Sequence, residues 1–105
     1  MSGKQKLGGY TWWPSDYQAD EHVRLMSFEE EGVYRACLDL AWLHGSIPAE
    51  LRVLAAVLGK RMTAKRLGRL WPTIAPCWEP GEDGRLINRR MERERSDILA
   101  YSAQQ

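Results

Sequence analysis

The chain reads GKRMTAKRLGR from Gly59 to Arg69, and this stretch decides the expected fold. It holds five cations, and no acidic residue occurs between Glu50 and Glu79. Behind the cations, apolar residues recur at helical spacing: Leu67, Leu70, Trp71 and Ile74. The pattern predicts a short helix with one apolar face and one basic face, which is typical of an element that reads DNA.

A second predicted helix precedes the basic helix. Pro48 is expected to start it, because a missing amide costs nothing in the first turn. Its apolar positions follow the i, i+3, i+4, i+7 pattern: Leu51, Leu54, Ala55 and Leu58. Gly59 is expected to end it, and Thr63 to cap the basic helix after a short turn. The basic helix is predicted to run to about Trp71, where Pro72 kinks it or starts a new turn.

Another predicted helix lies further towards the N-terminus. Ser27 and Glu30 form the capping-box pattern, and the helix is expected to run to about His44, with Gly45 ending it. Residues 10–14 are aromatic and end in proline, so they are expected to form a short extended segment covering the core.

A hairpin and a last helix follow the basic helix. Residues 77–88 alternate around Asp83 and Gly84, which supply turn chemistry. From Arg89 the pattern becomes helical again. The predicted fold class is therefore mainly α with a small β-hairpin, namely a winged helix with an extra C-terminal helix. In that layout the third helix enters the major groove, and the hairpin is the wing.

The length of 105 residues fits one small domain. Residues 1–9 are expected to form a flexible tail, residues 10–88 the winged-helix domain, and residues 89–105 the C-terminal helix with a frayed end. No apolar stretch suggests a signal peptide or a membrane span, so a cytoplasmic protein without membrane contact is expected.

Charge is distributed unevenly along the chain. Residues 16–50 carry eight acids and two bases, whereas residues 51–78 carry six bases and no acid. Such asymmetry indicates an oriented electrostatic surface, although the two halves could also neutralise each other in the fold. Two histidines and two distant cysteines give no metal or nucleophile pattern. We therefore expect neither an enzyme nor a cofactor or metal.

Several segments, in order, resemble the YdaU-like domain of unknown function, which usually stands at the N-terminus of phage and prophage replication proteins. The similar segments are residues 13–20, 25–35, 38–45, 47–48, 54–58, 70–72 and 83–90. The resemblance covers roughly residues 10–98. It implies a winged-helix domain associated with phage-type initiation of DNA replication. The cations of the basic helix are not part of this resemblance.

Double-stranded DNA is accordingly the first expected partner. The residues expected to contact it from the turn and the basic helix are Lys60, Arg61, Thr63, Lys65, Arg66 and Arg69. The hairpin and its end would add Arg85, Asn88, Arg89 and Arg90. The alternatives are an ordinary solvated helix face and a hairpin that only closes the core.

The second expected function is that of an adaptor or inhibitor that binds a replication protein, such as a helicase or its loader. Its interface would use residues of the aromatic N-terminus and the acidic helix start: Trp12, Trp13, Tyr17, Glu29 and Glu30. Core packing of the aromatic residues is the alternative for that cluster. A homodimer paired through the C-terminal helix is also open.

Overall fold

The structure is a computed structural model that describes residues 8–103. Its helices are α1 (Pro14–Ala19), α2 (Glu21–Arg24), α3 (Phe28–His44), α4 (Leu51–Leu58), α5 (Ala64–Ile74) and α6 (Arg89–Ala103). Two strands, β1 (Glu79–Pro80) and β2 (Leu86–Ile87), form an antiparallel hairpin. The expected class, mainly helical with a small hairpin, is confirmed. Most of the predicted flexible tail, and the last two residues of the predicted frayed end, lie outside the described residues.

The start and end of α3 follow directly from its sequence. The Ser27 hydroxyl accepts from the Glu30 amide at 3.1 Å, and the Glu30 carboxylate accepts from the Ser27 amide at 2.7 Å. Gly45 ends the helix with a φ of +86°, a conformation that costs glycine little. The predicted capping box and C-cap are both confirmed.

Replacing Glu30 with Gln should make this helix start insensitive to acid. Hydrogen bonds from Ser27 lower the pKa of Glu30 below its ordinary value. A lowered pKa stabilises the folded state at neutral pH, and this contribution disappears as the pH falls through the folded-state pKa. Thermal melts of wild type and Glu30→Gln should therefore differ at about pH 7, and the difference should shrink as the pH falls through the folded-state pKa of Glu30. A difference that grows in acid would contradict this assignment.

Helix α3 is the centre of the fold. Its buried residues form one wide face of the helix: Val33, Tyr34, Cys37, Leu38, Ala41 and Trp42. Aromatic residues before α1 cover one side, since the Tyr10 and Trp42 rings lie 5.0 Å apart. From α6, Arg95 is buried over the Trp42 ring and donates to the Trp42 carbonyl. The N-terminal segment and the last helix are thus both fixed against α3.

The corner between α4 and α5 was predicted in part. Gly59 ends α4 with a φ of +65°, and the Thr63 hydroxyl accepts from the Arg66 amide at 3.1 Å, as expected for an N-cap. The predicted start at Pro48 is wrong, because α4 begins at Leu51. The preceding residue, Ile47, is extended and exchanges two backbone hydrogen bonds of 2.9 Å with Leu86 of β2. That pairing holds the chain extended up to Pro48.

Helix α5 is longer than its sequence suggested. It continues through Pro72 to Ile74, and a 3-10 turn at Ala75–Cys77 follows. Proline removes one hydrogen bond to the carbonyl four residues earlier, here that of Gly68. Both Gly68 and Pro72 are exposed, so water can satisfy that carbonyl, while the fully buried Ile74 keeps the last turn against the core.

The hairpin is fixed by a tight turn and by its contact with Ile47. Pro80 pairs with Leu86, and the turn is closed by Gly81 donating to the Arg85 carbonyl at 2.7 Å. A side chain at Gly81 would meet a methyl of Ile87 at 3.1 Å, which explains the glycine. Three short extended segments therefore lie side by side, in the order β1, β2 and Ile47.

Candidate nucleic-acid interface

Helix α5 separates its apolar and basic residues cleanly. Leu67, Leu70 and Ile74 are buried, whereas Lys65 and Arg69, one helical turn apart, are exposed. The turn before the helix adds two more exposed cations, Lys60 and Arg61. We refer to Lys60, Arg61, Lys65 and Arg69 as the basic face.

The basic face is not neutralised by the acidic half of the chain. Within residues 8–103, none of its four side chains forms an ion pair or a hydrogen bond with another described residue. The other two bases of the segment 51–78 are paired, since Arg52 contacts Glu50 at 3.2 Å and Arg66 contacts Glu29. Four of six cations thus remain available for an anionic partner.

Arg66 is the one predicted contact residue of α5 that meets the acidic helix. Its Nε donates to Oε2 of Glu29 at 2.8 Å, and its Nη2 donates to the same oxygen. Both side chains are 45% exposed, so the pair lies at the surface. Ion pairs at this exposure contribute little to stability.

The turn that carries Lys60 and Arg61 has an unusual backbone. Both residues have positive φ angles, of 54° and 63°, and Gly59 before them has 65°. For residues with a side chain this left-handed conformation costs about 1–2 kcal/mol each. The sequence therefore keeps two long cations where glycine or asparagine would be more stable, which is common where function opposes stability.

Arg61→Gly should therefore raise the free energy of unfolding by about 0.5–1 kcal/mol, because glycine adopts a positive φ without strain. The matched control is Arg69→Gly, which removes the same charge from the middle of α5 and should lower that free energy by about 1 kcal/mol. Chemical denaturation measures both. Two variants that shift stability in the same direction would count against strain at Arg61.

The residues predicted to contact DNA from the hairpin and its end lie in different environments. Asn88 is only 3% exposed and is hydrogen-bonded inside the protein, which corrects its prediction as a DNA contact. Arg85 is half-buried and donates to the Ser46 hydroxyl at 2.7 Å. Arg89 is exposed and paired with Glu79 at 3.0 Å, and Arg90 lies 6.0 Å from the Tyr17 ring. The hairpin cations are therefore engaged within the fold.

The residues predicted for a protein interface also differ in how far they are exposed. Tyr17 is fully buried, which corrects its prediction as an interface residue. Trp12 is half-buried against it, with ring centres 4.5 Å apart, and the Arg35 guanidinium lies over both rings. Trp13 is 52% exposed, while Glu30 is used by the capping box. Burial raises the pKa of Tyr17 to about 12, which fits a structural phenol.

The two most exposed large apolar residues of the described chain were not predicted as interface residues from the sequence. Phe28 is 94% exposed and Leu25 is 77% exposed, and they lie on either side of the Ser27 cap. The capping pattern placed Phe28 at the first helical position but carried no information on whether its ring packs inwards. Helical periodicity could have found it, since Phe28 is out of phase with the buried positions Val33 and Cys37.

Other chemistry is limited in the described part of the chain. No group of three or more His, Cys, Asp or Glu side chains there could hold a metal ion. Burial raises the pKa of Cys37 to about 12 and that of Cys77 to about 11, so both free thiols stay protonated at neutral pH. A cleft of about 290 Å³ lies beside Cys77, but its acids and bases are mixed and include the paired Glu79 and Arg89.

Comparison with known proteins finds no matching family model, curated protein or solved structure. The similarity to the YdaU-like domain thus stays a prediction. Among residues 8–103, no helix is both long enough and apolar enough to cross a bilayer.

Proposed function

We propose that this protein binds double-stranded DNA through α5, as a winged helix does. The observation that carries the proposal is the basic face, four exposed cations without a partner among the described residues. Cations held this way attract phosphate and release its counterions on binding. Exposed Gly68, whose missing side chain would point into open space, lets the helix approach a surface closely.

The winged-helix assignment is supported by the order of elements. Helices α3, α4 and α5 are followed by the β1–β2 hairpin, and Ile47, between α3 and α4, pairs with the hairpin edge. In this arrangement α5 would enter the major groove and its flanking turn would contact the backbone. A role in initiating or controlling phage-type replication rests on the sequence resemblance alone.

Fluorescence anisotropy with a labelled 20-base-pair duplex of random sequence tests the proposal. If the four cations contact phosphates, log K should fall against log salt with a slope of roughly −4. An unlabelled duplex should compete. Binding that is undetectable at about 50 mM salt, or that does not change with salt, would contradict DNA binding through these cations.

Binding to a replication protein remains the second candidate, favoured by exposed Phe28 and Leu25. Exposed apolar side chains that lie close together mark protein interfaces. The test is capture of a purified helicase or loader by wild type and by Leu25→Ser/Phe28→Ser. Capture that does not differ between the two proteins would count against this interface.

A further inference from the structure

We propose that Arg66 reads a guanine base and that Glu29 is the residue that positions it. This inference rests on the proposed DNA binding and adds the base that α5 would recognise. The sequence predicts Arg66 as a DNA contact and Glu29 as part of a protein interface. The structure joins them in one hydrogen-bonded pair.

The geometry of the pair leaves one side of the guanidinium available. Nε and Nη2 of Arg66 both donate to Oε2 of Glu29, which uses two of the five N–H groups. Nη1 makes no hydrogen bond to any described residue, and Nη2 keeps one N–H. These remaining donors include a parallel pair, one from each terminal nitrogen. A parallel pair matches O6 and N7 of guanine in the major groove.

Glu29 is well placed to orient Arg66. It lies in the first turn of α3, where the helix dipole favours a carboxylate. The adjacent capping box between Ser27 and Glu30 fixes that turn. Arg66 itself lies in the first turn of α5, whose N-cap is Thr63. The pair therefore joins two capped helices rather than two loops, and such support keeps a reading side chain in one orientation.

The charges favour base reading over phosphate binding for Arg66. An anion beside an arginine opposes a second anion, so Glu29 weakens attraction between Arg66 and phosphate. A guanine edge is uncharged, and its two acceptors suit a guanidinium whose charge is already balanced. Lys65 and Arg69, which have no acidic partner among residues 8–103, would bind the phosphates on either side.

Selection from a random duplex library tests this assignment with three proteins. Wild type should enrich sequences with one fixed guanine. Arg66→Lys keeps the charge but loses the paired donors, and Glu29→Gln keeps the size but loses the carboxylate. Both should lose the preference at that position by about tenfold, while binding unselected duplex within about threefold of wild type.

Glu31→Gln is the matched control, because Glu31 lies in the same turn of α3 and pairs with Arg35 instead, at 3.4 Å. It should keep the guanine. Replacing the selected guanine with 7-deazaguanine, which lacks N7, should weaken wild type but not Arg66→Lys. Circular dichroism melts confirm that every variant is folded at the temperature of the assay.

Two results would overturn the inference and leave DNA binding intact: enrichment of no guanine, or equal preference for the guanine in all variants. If wild type binds no duplex at all, the proposed function fails and this inference fails with it. Binding of wild type to the unselected duplex thus distinguishes failure of this inference from failure of the proposed function.

Discussion

Replacing Lys65 and Arg69 together with Ala should lower the affinity for duplex DNA by about ten- to a hundredfold at about 50 mM salt. Both side chains are exposed on one face of α5 and have no partner among residues 8–103, so their loss removes phosphate contacts without breaking contacts in the fold. The slope of log K against log salt should change from roughly −4 to roughly −2, because about 0.9 counterions are released per neutralised phosphate.

Arg52→Ala/Arg93→Ala is the control for net charge, since it removes two exposed cations from α4 and α6. Arg52 is paired with Glu50, and neither residue belongs to the basic face. This variant should keep the wild-type salt slope and lose less than about threefold in affinity, as expected for a loss of long-range attraction alone. Equal losses for both pairs would mean that binding follows total charge and that α5 has no special role.

Local features of the fold were predictable because they depend on few neighbouring residues. The Ser27 capping box, the Thr63 cap and the glycines at 45 and 59 each involve side chains within four positions of the helix end they define. Distant pairing was not predictable in this way. Ile47 meets Leu86 across 39 positions of sequence, and this contact moves the start of α4 to Leu51.

The candidate interface was likewise predictable where it depends on local pattern and unpredictable where it depends on distant contacts. The amphipathic pattern of α5 indicated which residues face outwards, and Lys65 and Arg69 are exposed as that pattern requires. The pattern could not identify which cation meets the acidic half, because this depends on how α3 and α5 cross. Arg66 reaches Glu29 and its neighbour Lys65 does not. Polar character alone also misplaced Asn88, which is enclosed by residues from three parts of the chain.

Asn88→Ala should lower the free energy of unfolding by about 2–4 kcal/mol relative to wild type. The Asn88 amide nitrogen donates to the Cys77 carbonyl at 3.0 Å and lies 3.4 Å from the Tyr34 hydroxyl. Its oxygen accepts from the Met91 amide at 3.1 Å, and this hydrogen bond caps the first turn of α6. Alanine would leave these buried groups without partners and leave a cavity beside them.

Asn88→Asp separates the two halves of this network. Aspartate can still accept from Met91 at the start of α6, but it cannot donate to Cys77, so denaturation should give a loss smaller than that of alanine. At a temperature where Asn88→Ala is folded, its affinity for duplex DNA should equal that of wild type, because the side chain is 97% enclosed by protein. Weaker DNA binding by folded Asn88→Ala would instead indicate that Asn88 contacts DNA. The structural role of Asn88 and the electrostatic role of Lys65 and Arg69 are therefore testable with the same two measurements, and opposite results are expected.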